Sequence, residues 1–186
     1  MKGFYCSIVG IDGTGKTTLC NAIQDTGYDA VFTREPYRRG LAEEYKEESD
    51  KYLVPYSFAV DRHLHMKEVI LPALAQGKTV ICDRGLHCNL AYQAYEGASM
   101  SWTMKIQSPI MVLPDLIIFL VGNPFACARR SFEYDPNRLA EIQRLYGDAF
   151  AQTPKIPVFT INIENANINV IRDTVIKQIE KVKNGN

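Results

Sequence analysis

The sequence has no excess of charge of either sign: 21 Lys and Arg balance 21 Asp and Glu among 186 residues, a formal net charge of +0. No broad basic field therefore steers the chain toward nucleic acid or an anionic membrane, and any anion it binds must be held by local geometry. Long hydrophobic runs are also missing. The apolar stretch LIIFLV at 116 to 121 is far too short to span a bilayer. FYCSIVG, near the start, leads into Gly-rich, Lys-bearing sequence without a small-residue cleavage site, so no signal peptide is expected. The five cysteines, Cys6, Cys20, Cys82, Cys88 and Cys127, include no Cys-x-x-Cys pair, which excludes a disulfide framework and a zinc knuckle. Cys6 and Cys82 lie inside apolar runs and read as small core residues. His63 and His65, two apart on one helical stretch, point to different sides and with His87 make no metal triad. These absences describe a cytoplasmic protein in a reducing compartment. Repeats, low-complexity tracts and Gly/Ser linkers are absent too, so one domain over residues 1–186 is expected. The charge-rich block AEEYKEESDK at 42–51 reads as a solvated face or flap.

What is present is an alternation. Strand-length apolar runs recur at 4–10, 30–32, 79–82, 116–121 and 158–163. Helical patterns fill the intervals at 16–26, 56–76, 86–96, 101–111, 124–132, 138–151 and 167–183, with Pro72 expected to kink the second or to mark its last turn. Nearly continuous apolar strands separated by helices predict an α/β fold: a five-stranded parallel sheet covered by helices on both faces.

Gly10-Ile11-Asp12-Gly13-Thr14-Gly15-Lys16-Thr17 satisfies G-x-x-x-x-G-K-[ST] and lies between a strand-like run and a helix, the context a phosphate-binding loop requires. Gly10, Gly13 and Gly15 let the backbone wrap a phosphate, and the N–H groups of Thr14 to Thr18 point inward at a helix N-terminus. Lys16 is placed for the β- and γ-phosphates of ATP and the Thr17 hydroxyl for Mg²⁺. A guanine-reading Asn-Lys-x-Asp is absent, and large motor ATPases need more chain. Small phosphotransferases remain.

Three clusters follow in order: Thr33-Arg34-Glu35-Pro36, Phe58-x-x-x-Arg62, and Asp83-Arg84 with Asn89, Tyr92 and Gln93 behind it. Arg34 and Arg84 stand at strand ends, where open α/β sheets place ligands, and transfer between two polyanions needs cations there. Phe58 and Arg62 are neighbours on one helix face, as are Asn89 and Gln93. An aromatic ring beside a guanidinium can stack a base and bond its exocyclic oxygen. Taken alone, the residues read better as a core Phe58 and an Arg62 paired with a carboxylate.

With GIDGTGKTT at 10–18, the segment VILPALAQGKTVICDRGLHCNLAYQAYEG at 69–97 and PDLIIFLVGNPFACARR at 114–130, these clusters resemble thymidylate (dTMP) kinases over nearly the whole chain, more weakly after residue 130. The resemblance implies a three-layer P-loop NTPase fold with a short lid at about 129–138 and Mg·ATP-dependent phosphorylation of dTMP. It implies that Arg34 and Arg84 contact the acceptor 5′-phosphate, that Phe58 stacks thymine, and that Arg62 reads its O4. Asn89 and Gln93 meet the base edge, Tyr92 packs under the sugar against a 2′-hydroxyl, and Glu35 orders the pocket. Asp12 approaches the acceptor's 3′-hydroxyl and the metal's surroundings, and Asp83 orients water on Mg²⁺. A homodimer through the 56–76 helix, with Leu64, Val69 and Leu74 as apolar positions, is the family expectation.

The lid candidates are Arg129, Arg130 and Arg138 around SFEYDPN at 131–137. Because Thr14 stands where some relatives carry arginine, the lid is expected to supply the cation at the transferred phosphoryl group, with Arg129 and Arg138 in that role. TREP is followed by Tyr-Arg-Arg-Gly rather than Gly-Gly, and Arg38, Arg39 or Lys46 is the candidate to replace a family arginine on the next helix. Two other readings stay open. One is another deoxynucleotide kinase or a deoxynucleoside kinase; in the latter Glu35 would deprotonate a 5′-hydroxyl, although Asp83-Arg84 stands where those enzymes carry Glu-Arg-Ser. In a non-catalytic module, ATP binding would switch a partner surface.

Overall fold

Phe4, Cys6 and Ile8 alternate with Tyr5, Ser7 and Val9, and all six are buried. A strand with both faces covered belongs in the middle of a sheet. The computed structural model, which describes residues 3–40, 44, 51–131 and 135–185, places this strand, β1 (Phe4–Val9), at the centre of five. With β2 (Val31–Arg34), β3 (Thr79–Asp83), β4 (Leu116–Val121) and β5 (Val158–Asn162) the order is β2-β3-β1-β4-β5, all parallel. β2 extends two residues beyond the sequence expectation because Thr33 and Arg34 pair with Cys82 and Asp83. That register sets Arg34 beside Asp83 at the carboxyl edge.

Helices cover both faces. α1 (Lys16–Gln24) and α8 (Ile168–Lys183) press Leu19, Ile23, Ile171, Val175 and Ile179 onto Cys6, Ile8, Leu116 and Ile118. On the other face α4 (Leu86–Tyr95), α6 (Pro124–Ser131) and α7 (Pro136–Ala151) meet Val9, Ile117 and Phe119 through Cys88, Cys127, Leu139, Ile142 and Tyr146. All five cysteines are buried and unbridged.

The expected 56–76 helix is interrupted. α2 (Leu53–His65) begins three residues earlier, passes through a π turn at Met66–Ile70, and continues as α3 (Leu71–Ala75) with Pro72 in its first turn. Proline has no N–H to return to the preceding turn, and wider winding just ahead of it absorbs the mismatch without breaking the rod. α5 (Met100–Gln107) is capped by the Ser99 side chain, and Asp135 caps α7 by accepting the Asn137 and Arg138 N–H groups at 2.9 and 3.0 Å. The 42–51 block lies outside the described residues except for Glu44 and Lys51, as do residues 132–134 of the expected lid. Among the described residues, no helix is long and apolar enough to cross a membrane.

Candidate active site

The strand-to-helix turn after β1 has geometry that only its glycines permit. Gly10, Gly13 and Gly15 have φ of 150°, 82° and 84°, and a Cβ on Gly13 would stand 2.1 Å from the Cys127 carbonyl oxygen of α6. Gly15 leads into α1 without any side-chain cap, so the first N–H groups of that helix stay open to an anion. From behind, the buried Tyr146 hydroxyl grips the loop's first residue: it donates to the Gly10 C=O at 2.9 Å and accepts the Gly10 N–H at 3.2 Å. The Thr14 hydroxyl and the Lys16 ammonium both donate to the Ile11 C=O at 2.8 Å.

Asp12 is the hub of the loop. Arg84 is ion-paired to it, the Tyr92 hydroxyl donates to it at 2.9 Å, and Lys16 Nζ lies 3.6 Å away. The same Tyr92 oxygen accepts the Asp12 N–H. Burial opposes ionisation of Asp12, but Arg84, Lys16 and the Tyr92 bond outweigh it and hold its pKa below the usual carboxylate value. Burial and the adjacent Arg84 together depress the Lys16 pKa, against the pull of Asp12. Arg84 itself sits at φ 75°, an uncommon conformation for a side-chain-bearing residue, fixed by its N–H to the Ile8 C=O at 2.9 Å. Arg84 and the loop line one cleft of about 450 Å³.

Thr17 donates to Asp83 Oδ2 at 2.6 Å, while the buried Asp83 Oδ1 has no partner among the described residues. A hydroxyl and a carboxylate with an unused oxygen beside a phosphate loop suit Mg²⁺, which takes oxygen donors and keeps much of its water.

A second cluster forms around Glu35. Glu35, just past β2, receives Arg62 Nε at 3.0 and 3.1 Å and also Nη2; both residues are buried. His65 Nδ1 stands 3.4 Å from Glu35, its Nε2 bonds Thr33 at 2.7 Å, and its ring stacks on Tyr37. Burial opposes the Glu35 charge, yet Arg62 and His65 lower its pKa from 4.5 to about 2. Arg62 Nη1 is left buried and without a partner among the described residues. The buried Asp61 carboxylate accepts the N–H groups of Tyr37 and Arg38 at 2.8 and 2.6 Å and shapes the turn after TREP. Glu35, His65 and Cys82 bring possible metal-ligand atoms within 4.8 Å of one another, but Arg62 already occupies the Glu35 carboxylate.

The remaining expected residues lie as follows. Arg34 is exposed at the end of β2, and Phe58 is half-buried on α2 one turn before Arg62. Asn89 and Gln93 are buried on α4, and Asn89 Oδ1 accepts Gln107 Nε2 at 2.7 Å. Arg130 lines the phosphate cleft, whereas Arg129 lines an adjoining hollow of about 510 Å³ with Phe125 and Glu164. Arg138 instead pairs with Glu96 and lies over the Tyr95 ring at 5.1 Å. Arg38 is tied to Glu68, Arg39 is exposed, and Lys46 lies outside the described residues. Sequence reasoning missed Tyr146, Asp61, His65 as a Glu35 partner, and Gln107. Their roles depend on folded proximity, and only Asp61, beside Arg62, lay next to an expected residue.

A glycine-rich loop between the central strand and its helix, with Lys16, Asp12 and Arg84 in one cleft, on a five-stranded parallel sheet, defines a P-loop NTPase fold. A solved thymidylate kinase from Ehrlichia chaffeensis shares it with a TM-score of 0.76, at 24% identity over 96% of this chain and 100% of that one. The thymidylate kinase family model matches residues 8–177, and the chain belongs to that family. Similar relatives include a probable thymidylate kinase of Staphylothermus marinus, 36% identical over 69% of this chain and 68% of the relative. One from Pyrococcus abyssi is 42% identical over 64% and 65%. The chain thus aligns with about two thirds of these relatives' length, and with 94% of one from Thermococcus gammatolerans at 27% identity.

Proposed function

We propose that the chain transfers the γ-phosphoryl group of ATP to dTMP. The observation that carries this reading is the placement of Arg84 in the same cleft as Lys16 and the loop, bonded to Asp12. One guanidinium there faces both phosphate sites, as transfer between two polyanions requires. Lys16 and the open N–H groups of α1 hold the donor phosphates; Arg84 and the exposed Arg34 hold the acceptor phosphate. Arg130 is the lid cation nearest the cleft. Thr17 and Asp83 would hold Mg²⁺, which when bound neutralises charge on the donor phosphates. Phe58, Arg62, Asn89 and Gln93 receive the base, and Tyr92, fixed on Asp12, lies beside the sugar.

The attacking phosphate oxygen of a monophosphate is already anionic and needs no base. Glu35, engaged by Arg62 and titrating at about 2, is poorly suited to accept a proton from a hydroxyl. This favours dTMP over thymidine as acceptor. The probable thymidylate kinases that the chain resembles support the same substrate.

ADP release in a coupled assay with Mg·ATP tests the reading against dTMP, dUMP, dCMP, dGMP, UMP and thymidine. Preference for dTMP is expected, with Lys16→Ala reducing turnover by about 10²–10³-fold while the fold is kept. A preference for thymidine would move the chemistry to a hydroxyl acceptor. ATP binding without turnover on any acceptor would leave a binding module.

A further inference from the structure

What the amide of Asn89 offers is tied to the amide of a neighbour on α5. α5 carries Thr103 and Gln107 four residues apart on one face, both fully buried, and packs on α4. Gln107 Nε2 donates to Asn89 Oδ1 at 2.7 Å. Asn89 Nδ2, Gln107 Oε1, Thr103 Oγ1 and Arg62 Nη1 are all buried with no hydrogen-bond partner among the described residues. α2, which carries Arg62, packs against both helices. Unpaired polar groups in a protein interior are costly and rare, so Asn89 Nδ2 and Arg62 Nη1 stand ready for polar atoms arriving from outside the chain.

Two carboxamides bonded to each other have two states. As the chain stands, Asn89 accepts from Gln107 and presents its NH₂ group. If both amides turn over, Asn89 donates to Gln107 and presents its oxygen instead, and the bond between them survives. A pyrimidine with a hydrogen on N3, thymine or uracil, needs an acceptor opposite that atom. Cytosine has a lone pair at N3 and needs a donor.

We propose that Gln107 is a positioning residue whose amide turns in concert with that of Asn89, so that the polarity of the pair governs the choice between pyrimidines with and without a hydrogen at N3. This rests on the reading above that Asn89 meets the base edge. Gln107 touches no substrate; it acts through Asn89. Glutamine permits both states. An ionised glutamate at this position only accepts, so it draws the Asn89 NH₂ group inward and turns the oxygen toward the base.

The test is the ratio of kcat/KM for dTMP to that for dCMP, measured across pH for the full chain and for Gln107→Glu. The ratio rises about tenfold in the variant above its carboxyl's titration, the worth of about one hydrogen bond, and falls back as the acid is protonated and donates again. In an Asn89→Leu background, Gln107→Glu leaves the ratio where Asn89→Leu alone sets it. An unchanged, pH-independent ratio in a folded, ATP-binding Gln107→Glu protein overturns the proposal. So does an effect of equal size with Asn89 removed. Should the buried charge prevent folding, Gln107→Met decides: the KM for dTMP rises several-fold with that for ATP unchanged, and an unaltered dTMP KM overturns the proposal. A wild-type chain that phosphorylates no pyrimidine nucleotide overturns the underlying reading, and this proposal with it. A wild type active on dTMP whose Gln107 variants match it overturns this proposal alone.

Discussion

Glu35 and Arg62 are 27 residues apart in sequence and form a buried ion pair. Removing one member of such a pair leaves the other charge uncompensated, so Glu35→Gln should destabilise the fold by about 3–5 kcal/mol at neutral pH. The pH dependence follows from a folded-state pKa lowered from 4.5 to about 2. Glu35 contributes its full stabilisation above the ordinary carboxylate pKa, and the contribution is lost as pH falls through that interval. Urea melts at neutral pH and near pH 3 check this: the gap between wild type and Glu35→Gln should narrow at the lower pH, and a constant gap would contradict the pairing. Sequence reasoning held two readings of Arg62, base reader and carboxylate partner. The folded chain makes the second contact and leaves Nη1 without a partner among the described residues, an outcome that spacing cannot express.

Among elements, the phosphate loop was legible because its residues are contiguous and its glycines answer local backbone demands. What holds the loop in place was not legible. Tyr146 acts on Gly10 from 136 residues away, and in sequence it is one more aromatic on an amphipathic helix. Tyr146→Phe removes both bonds to Gly10 while keeping the ring in the core. An increase of about five- to tenfold in the KM for ATP is expected, with a melting temperature lowered by several degrees because the buried Gly10 N–H and C=O lose their partner, measured by initial rates and thermal denaturation. An unchanged KM would show that the glycine geometry suffices alone. The interrupted α2–α3 rod shows the same limit: Pro72 marked a disturbance, and the π turn ahead of it depends on how Met66 and Ile70 seat against Tyr5 and Val80.

For the whole molecule, apolar strands alternating with helices were enough to read a five-stranded parallel sheet, because burial on both faces leaves few other arrangements. Assembly was less legible. Leu64, Val69 and Leu74, expected at a dimer interface, are half-buried within the monomer, whereas Tyr56, Val60 and Leu71 expose 50%, 51% and 46% of their surface along the same rod. We propose that a second copy covers that apolar face. Val60→Lys should then shift the sedimenting species from dimer to monomer, and a wild type that sediments as a monomer at all concentrations would contradict the proposal. The central claim concerns phosphoryl transfer, and its most direct test is to follow the γ-³²P label from ATP in the presence of dTMP. The label should appear in dTDP, one equivalent for each ADP formed, and should fail to appear there with Lys16→Ala. Label found only in inorganic phosphate, or in dTMP made from added thymidine, would contradict it.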